Sequence, residues 1–246
     1  MTPAQTKISL PTSFLLASTL CAALTACGGG GDSTPAATTT PTTPAAASFA
    51  GCFEITEGVA YTVTDPGGVP DGVRMAKETF EGAVRNAAVE FTDATTVRSN
   101  ATYWSQDANG TRLLGGILYD ANGNAIAKAV RSDGFTLPLT MQAGDSKTLN
   151  YTEVTTVLAG ASAGHTETAS AQETWTFEGY ETVTLAGKTF TDACRVKTLD
   201  ADAAANGDGP STLWFAKGFG IIRAVHTNSA GATVEDIKVE TITAQP

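Results

Sequence analysis

ATYWSQ-DANG-TRLLGGILY-DANGN-AIAKAVR, residues 101–131, is the stretch that decides the fold. Two Asn-Gly pairs, Asn109-Gly110 and Asn122-Gly123, stand between runs rich in β-branched and aromatic residues. Asn-Gly is the signature of tight hairpin turns, because such turns need positive φ. The pairs cut the stretch into three strands, Ala101–Gln106, Thr111–Tyr119 and Ala125–Arg131, joined in order as a β-meander.

The same reading extends in both directions. Downstream, Glu173-Thr174-Trp175-Thr176-Phe177-Glu178 alternates strictly, so Trp175 and Phe177 share one face of a strand and the threonines take the other. Gly220–Thr227, a turn over Asn228–Gly231 and Ala232–Ile242 form a further hairpin. Upstream, Met75–Phe91 could be written as an amphipathic helix or as two strands. Gly82 at its centre and its β-rich surroundings favour two strands. Prolines are few and no repeat of fixed period is present, which disfavours a propeller or solenoid. The fold class expected is all-β: one strongly curved antiparallel meander sheet, closed as a barrel, wrapped as a half-barrel, or folded into a two-layer sheet.

Ahead of the β region lies a leader. Lys7 supplies a positive start, Phe14 to Leu24 a short apolar core, and small residues run up to Cys27. The apolar run is too short and interrupted to span a bilayer, and reads as a secretory signal peptide. Leu24-Thr25-Ala26-Cys27 resembles the lipobox of bacterial lipoproteins. That resemblance implies cleavage before Cys27, alkylation of its thiol by diacylglycerol and acylation of the new N-terminus by a palmitate-type chain, enough to hold a protein stably on a membrane. The chain then divides into a signal peptide (1–26), a lipidated cysteine with a Gly/Thr/Pro/Ala-rich linker (27–48), and a single β domain (49–246). The linker holds no apolar residue larger than alanine and should stay disordered. It would reach about 65 Å if fully extended and about 25 Å as a coil. By resemblance to Gram-negative lipoproteins, Gly28, where an aspartate would favour retention in the inner membrane, implies the outer membrane, facing the periplasm or the cell surface.

Charge narrows the partners. The 246-residue chain carries a net charge of −10, with 25 acidic against 15 basic residues. An acidic surface excludes nucleic acid, whose binding needs lysine and arginine to displace counterions. It also disfavours docking on anionic lipid, which leaves the lipid anchor as the link to the membrane. Of the four cysteines, Cys21 leaves with the leader and Cys27 carries the lipid. Cys52 and Cys194 remain in an oxidising compartment, where a disulfide is expected and two separate half-buried thiols are the alternative.

Several motifs have a chemical reading and a plainer one. Gly160-Ala161-Ser162-Ala163-Gly164 spells the nucleophile elbow of hydrolases, but His165 and the threonines after it continue as strand, so a loop tip is preferred. Gly187-Lys188-Thr189 lacks the glycine that a phosphate loop needs, since Thr182 stands there. Asp120, Asn122 and Asn124 begin like a calcium loop, yet Ala125 and Arg131 occupy its turn-glycine and glutamate positions. Asp200, Asp202 and Asp208 could hold calcium adventitiously, or lie in a flexible solvated loop. With two histidines in the chain, a zinc site has little to draw on. No catalytic residue, metal site or cofactor is therefore expected.

Aromatics offer the remaining site candidates. Tyr103 and Trp104 are neighbours on opposite faces of one strand, as are Trp214 and Phe215, so one of each pair should be exposed unless both faces are covered. Trp104, Trp175 and Trp214 are the possible ligand or partner contacts, with packing between layers the preferred reading.

Two late segments carry a second resemblance. Leu185–Phe190 with Ala193-Cys194-Arg195-Val196, then Leu213-Trp214-Phe215-Ala216-Lys217-Gly218-Phe219-Gly220-Ile221-Ile222, resemble the pattern AGxF…C.V…WYA.GVG.V. of uncharacterised β-rich secreted and lipoprotein domains of proteobacteria. The resemblance implies a strongly curved antiparallel sheet ending in a glycine-broken hairpin at Gly218–Gly220, and transfers no catalytic residue. A looser resemblance, in architecture alone, is to half-barrel carriers of lipoproteins. The function expected is a membrane-anchored, non-enzymatic binding or structural module of the envelope. The alternative is a carrier that encloses a hydrophobic ligand such as a lipid in its curved sheet.

Overall fold

The computed structural model describes residues 49–64, 70–92, 96–132 and 135–245. The leader, Cys27 and the linker lie outside them. A 3-10 turn (Phe49–Phe53) precedes thirteen strands. They are β1 (Ala60–Thr64), β2 (Pro70–Phe80), β3 (Ala83–Phe91), β4 (Arg98–Asp107), β5 (Gly110–Tyr119), β6 (Ala125–Arg131) and β7 (Thr136–Leu137). They continue as β8 (Ser146–Val157), β9 (Thr166–Leu185), β10 (Lys188–Asp200), β11 (Asp208–Ala216), β12 (Gly220–Asn228) and β13 (Thr233–Ala244). One short helix, α1 (Ala201–Ala205), joins β10 to β11.

The strands pair antiparallel in chain order, and β1 pairs with β13 to close the ring. The result is a closed barrel of twelve strands, with the two-residue β7 added beside β6 on β5. The region 75–91 forms strands, as Gly82 suggested: Glu81 (φ 50°) and Gly82 (φ 74°) make a two-residue turn closing Phe80 against Ala83. Positive φ at both positions gives the turn the twist that hairpin strands require. Ala186 (φ 51°) and Gly187 (φ 72°) repeat the device between β9 and β10, which is where the apparent phosphate-loop remnant sits. Gly115 has another role. At φ 133° on a bulged stretch of β5, a Cβ would lie 2.0 Å from the Ala129 carbonyl oxygen, so only glycine lets β5 and β6 approach there.

An eight-stranded barrel is just filled by its own side chains, whereas twelve strands enclose more than they can fill. Two inserts take up part of the difference. The 3-10 turn lies in the lumen, with Phe49 against Phe177 (4.8 Å) and Phe53 against Phe215 (4.9 Å). The segment leading to β8 adds Phe135, Leu137 and Met141 to the same core. The expected disulfide is present: Cys52 in the turn is bonded to Cys194 of β10, with Cα atoms 5.7 Å apart.

Outward faces differ. On β8 and β9, Ser146 bonds Thr176 (2.7 Å), Thr148 bonds Thr174 (3.1 Å), and Gln172 donates to Asn150 (2.7 Å). On these two strands the outward face is polar, unlike the lipid-facing surface of a bilayer-spanning barrel. On β2–β5 the outer face instead carries a second cluster, in which Phe80 stacks on Tyr103 at 4.4 Å. Both faces of β4 are thus covered. Tyr103 and Trp104 do take opposite faces, but both are buried, because the outer cluster covers one and the lumen the other.

Candidate functional site

Alternation along each strand sends every second side chain into the lumen, and what remains unfilled there is a cavity of about 490 Å³. Its apolar wall is built from Phe53, Trp104, Trp175, Leu213, Phe215 and Ile222. Trp104 also fixes the plug: its Nε1 donates to the Phe53 carbonyl oxygen at 3.0 Å, while Gln106 Nε2 donates to that of Ala50 at 2.9 Å. Trp175 stands edge-on to Phe135 at 5.6 Å.

Three polar groups interrupt this wall. On β6, β8 and β9, Glu173 accepts from Tyr151 Oη (2.6 Å) and from Trp175 Nε1 (2.8 Å). Arg131 Nη1 lies 3.7 Å from Glu173, and its Nε donates to Glu153 at 2.9 Å. Burial works against the Arg131 charge, but Tyr151, Glu173 and Glu153 outweigh it, and its pKa is raised. Burial also pushes the Tyr151 phenol up, with Arg131 opposing and Glu173 reinforcing the shift.

Across β5 from this group, on β2–β4, stand Asp71, Glu90 and Asn100. Asn100 Nδ2 donates to Glu90 at 3.4 Å. Burial raises the Glu90 pKa; the Asn100 bond opposes this and the Asp71 charge adds to it. Tyr61 on β1 donates to the carbonyl oxygens of Phe219 (3.1 Å) and Ile221 (2.8 Å), tying β1 to the glycine-broken hairpin between β11 and β12. That hairpin turns at Gly218 and Gly220, where it was expected.

The third group is a row across β10, β11 and β12: Thr198, Ser211 and His226. Ser211 Oγ lies 2.5 Å from His226 Nδ1. Burial pushes the imidazole down to about 2, so it stays neutral and is too weak a base to take a serine proton at neutral pH.

The candidates read from sequence are distributed as follows. Trp104 and Trp175 line the cavity. Trp214 does not: it points outward, its Nε1 donating to Glu181, with the guanidiniums of Arg223 (5.0 Å) and Arg195 (5.7 Å) over its ring. Cys52 and Cys194 are joined inside, and Cys27 lies outside the described residues. Ser162 is on the exposed turn between β8 and β9. Asp120 folds onto its own turn, accepting from the backbone of Asn124 (2.8 Å) and Asn122 (2.9 Å), which holds its carboxyl below the usual range. Asp200 caps α1 by accepting from Ala203 N at 2.8 Å, so a short helix stands where a flexible loop was expected. Among the described residues no cluster of three or more potential metal ligands occurs.

The lumenal polar residues were missed in the sequence, although the signal was there. The alternation that pairs Trp175 with Phe177 also puts Glu173 on their face, and the spacing from Ile222 does the same for His226.

No protein-family model and no curated protein matches the chain. Among solved structures it resembles a candidate exported protein with a YmcC-like fold from Bacteroides fragilis, at 17% identity over 78% of this chain and 98% of that one, TM-score 0.43. It also resembles the hypothetical lipoprotein YmcC of Escherichia coli, at 14% identity over 76% and 85%, TM-score 0.40. A third is a candidate lipoprotein of Parabacteroides distasonis, at 13% identity over 78% and 98%, TM-score 0.41.

Proposed function

We propose that the chain is a lipid-anchored protein of the outer membrane whose barrel holds a small hydrophobic ligand, and that it acts by binding and not by catalysis. The cavity carries this reading. At about 490 Å³ it falls in the range of small-molecule sites, and two tryptophans, Trp104 and Trp175, line it. A module built to dock proteins would instead present such residues on a flat or rim surface. Of the two readings left open by the sequence, the carrier is the better supported. Neutral His226 and the exposed position of Ser162 give no support to hydrolysis. The anchor rests on Cys27 and the residues leading to it.

The test is a titration of the full chain in lipid nanodiscs with 1-octanol, read by tryptophan fluorescence. Saturable quenching or a shift in emission is expected, and Ala88→Phe, which fills the lumen from β3, should abolish it. A response that never saturates, or one unchanged in Ala88→Phe, would contradict the proposal.

A further inference from the structure

Two groups on the cavity wall have N–H or O–H donors left to give. On β5, Thr111 is 3% exposed, and its hydroxyl has no hydrogen-bond partner among the described residues. Thr111 borders the cavity together with Leu113. A buried polar group in that condition is ordinarily satisfied by whatever occupies the space beside it. On β6, Arg131 gives one of its five N–H donors, that of Nε, to Glu153 at 2.9 Å. Its Nη1 stands 3.7 Å from Glu173, near enough to feel the charge but too far for a hydrogen bond. The Nη groups therefore keep their donors. The rings of Phe135 and Tyr151, 5.1 and 5.0 Å from the guanidinium carbon, hold it in place on the wall. Both groups flank one segment of the cavity lining: Phe135 lies against Arg131, and Leu137, two residues on, pairs with Thr111.

From this we infer that the ligand is an uncharged amphiphile with a carbonyl head, a fatty amide or ester, whose oxygen end lies at Thr111 and Arg131 and whose apolar body lies along Trp104, Trp175 and Phe215. The inference rests on the cavity being a ligand site. A carbonyl oxygen has two lone pairs and can accept from a hydroxyl and a guanidinium alike. Charged heads fit worse. Arg131 already has two carboxylates about it, those of Glu153 and Glu173, so a fatty acid would crowd a third negative charge around one cation. An ammonium brings donors and no acceptor, and sets its charge beside the guanidinium. A head without an acceptor leaves the Thr111 hydroxyl unsatisfied, at the cost of a buried unpaired donor. The wall thus discriminates by head group, rejecting both charges and rewarding an acceptor.

The experiment compares octanamide, octanoate, n-octylamine and 1-chlorooctane on the full chain in nanodiscs at mildly alkaline pH, read by tryptophan fluorescence against empty nanodiscs. Octanamide is expected to bind at least tenfold more tightly than octanoate, its near isostere, and than octylamine. Thr111→Val keeps the shape of the side chain and removes its hydroxyl. It should weaken octanamide at least fivefold while leaving 1-chlorooctane binding in place, which also reports an intact barrel. Thr111→Ser, which restores a hydroxyl, should keep the parent affinity for octanamide. Equal or tighter binding of octanoate or octylamine, or an octanamide affinity unchanged in Thr111→Val, would overturn the inference while leaving the cavity as a ligand site. Binding of none of the four would remove both.

Discussion

At the scale of single residues, His226 gives the clearest expectation. In the fold its pKa lies near 2, below the value of about 6.5 expected of an unfolded chain. Between those values the unfolded state binds a proton that the native state refuses, so stability from this group is full above pH 6.5 and falls as the pH drops below it. The slope is at most about 1.4 kcal/mol per pH unit. His226→Gln should melt lower at pH 7, through loss of the Ser211 bond, yet lose less stability than the parent between pH 6 and pH 4. Parallel pH profiles would contradict this. Trp104 gives a second expectation. Trp104→Phe keeps the ring but removes the bond to Phe53, at a cost of about 1 kcal/mol, whereas Trp104→Ala empties a buried site and should cost about 3–5 kcal/mol in urea unfolding. Residue roles were only partly legible beforehand. Alternation showed which side chains share a face, but not that one face encloses a lumen, so it assigned no role there to Glu90, Arg131 or Glu173.

At the scale of elements, the 3-10 turn Phe49–Phe53 depends on partners remote in sequence. It is held by Cys194, 142 residues away, by Trp104 and Gln106, and by the Phe177 and Phe215 rings. Replacing both Cys52 and Cys194 by serine should lower stability by about 2–5 kcal/mol. Hydrogen exchange should rise over 49–58 before it rises in β2–β5; uniform loosening of the whole barrel would show that the disulfide serves the strands and not the plug. The strands themselves were readable, because Asn109-Gly110, Asn122-Gly123 and Gly82 announce turns by chemistry that acts within four residues. The plug was not. Its five residues, FAGCF, carry no periodic signal, and only the spare cysteine hinted that this stretch is tied to a late strand.

At the scale of the whole molecule, a meander of consecutive hairpins closes because β1 meets β13, a pairing that no local signal announces. Closure turns a two-faced sheet into an inside and an outside, and twelve strands leave room inside for a plug and a ligand together. The first described element, Phe49–Phe53, is the one that lies inside the lumen. Cys27→Ser should abolish palmitate labelling of the protein in cells, and labelling that persists would refute the anchor. The central claim, a barrel that carries a small hydrophobic ligand, is tested most directly by native mass spectrometry of the full chain released from nanodiscs. The expected result is a reproducible excess mass beyond the lipidated protein, extractable into organic solvent as a small hydrophobic molecule and absent from Ala88→Phe. A bare lipidated mass in both proteins would contradict the account.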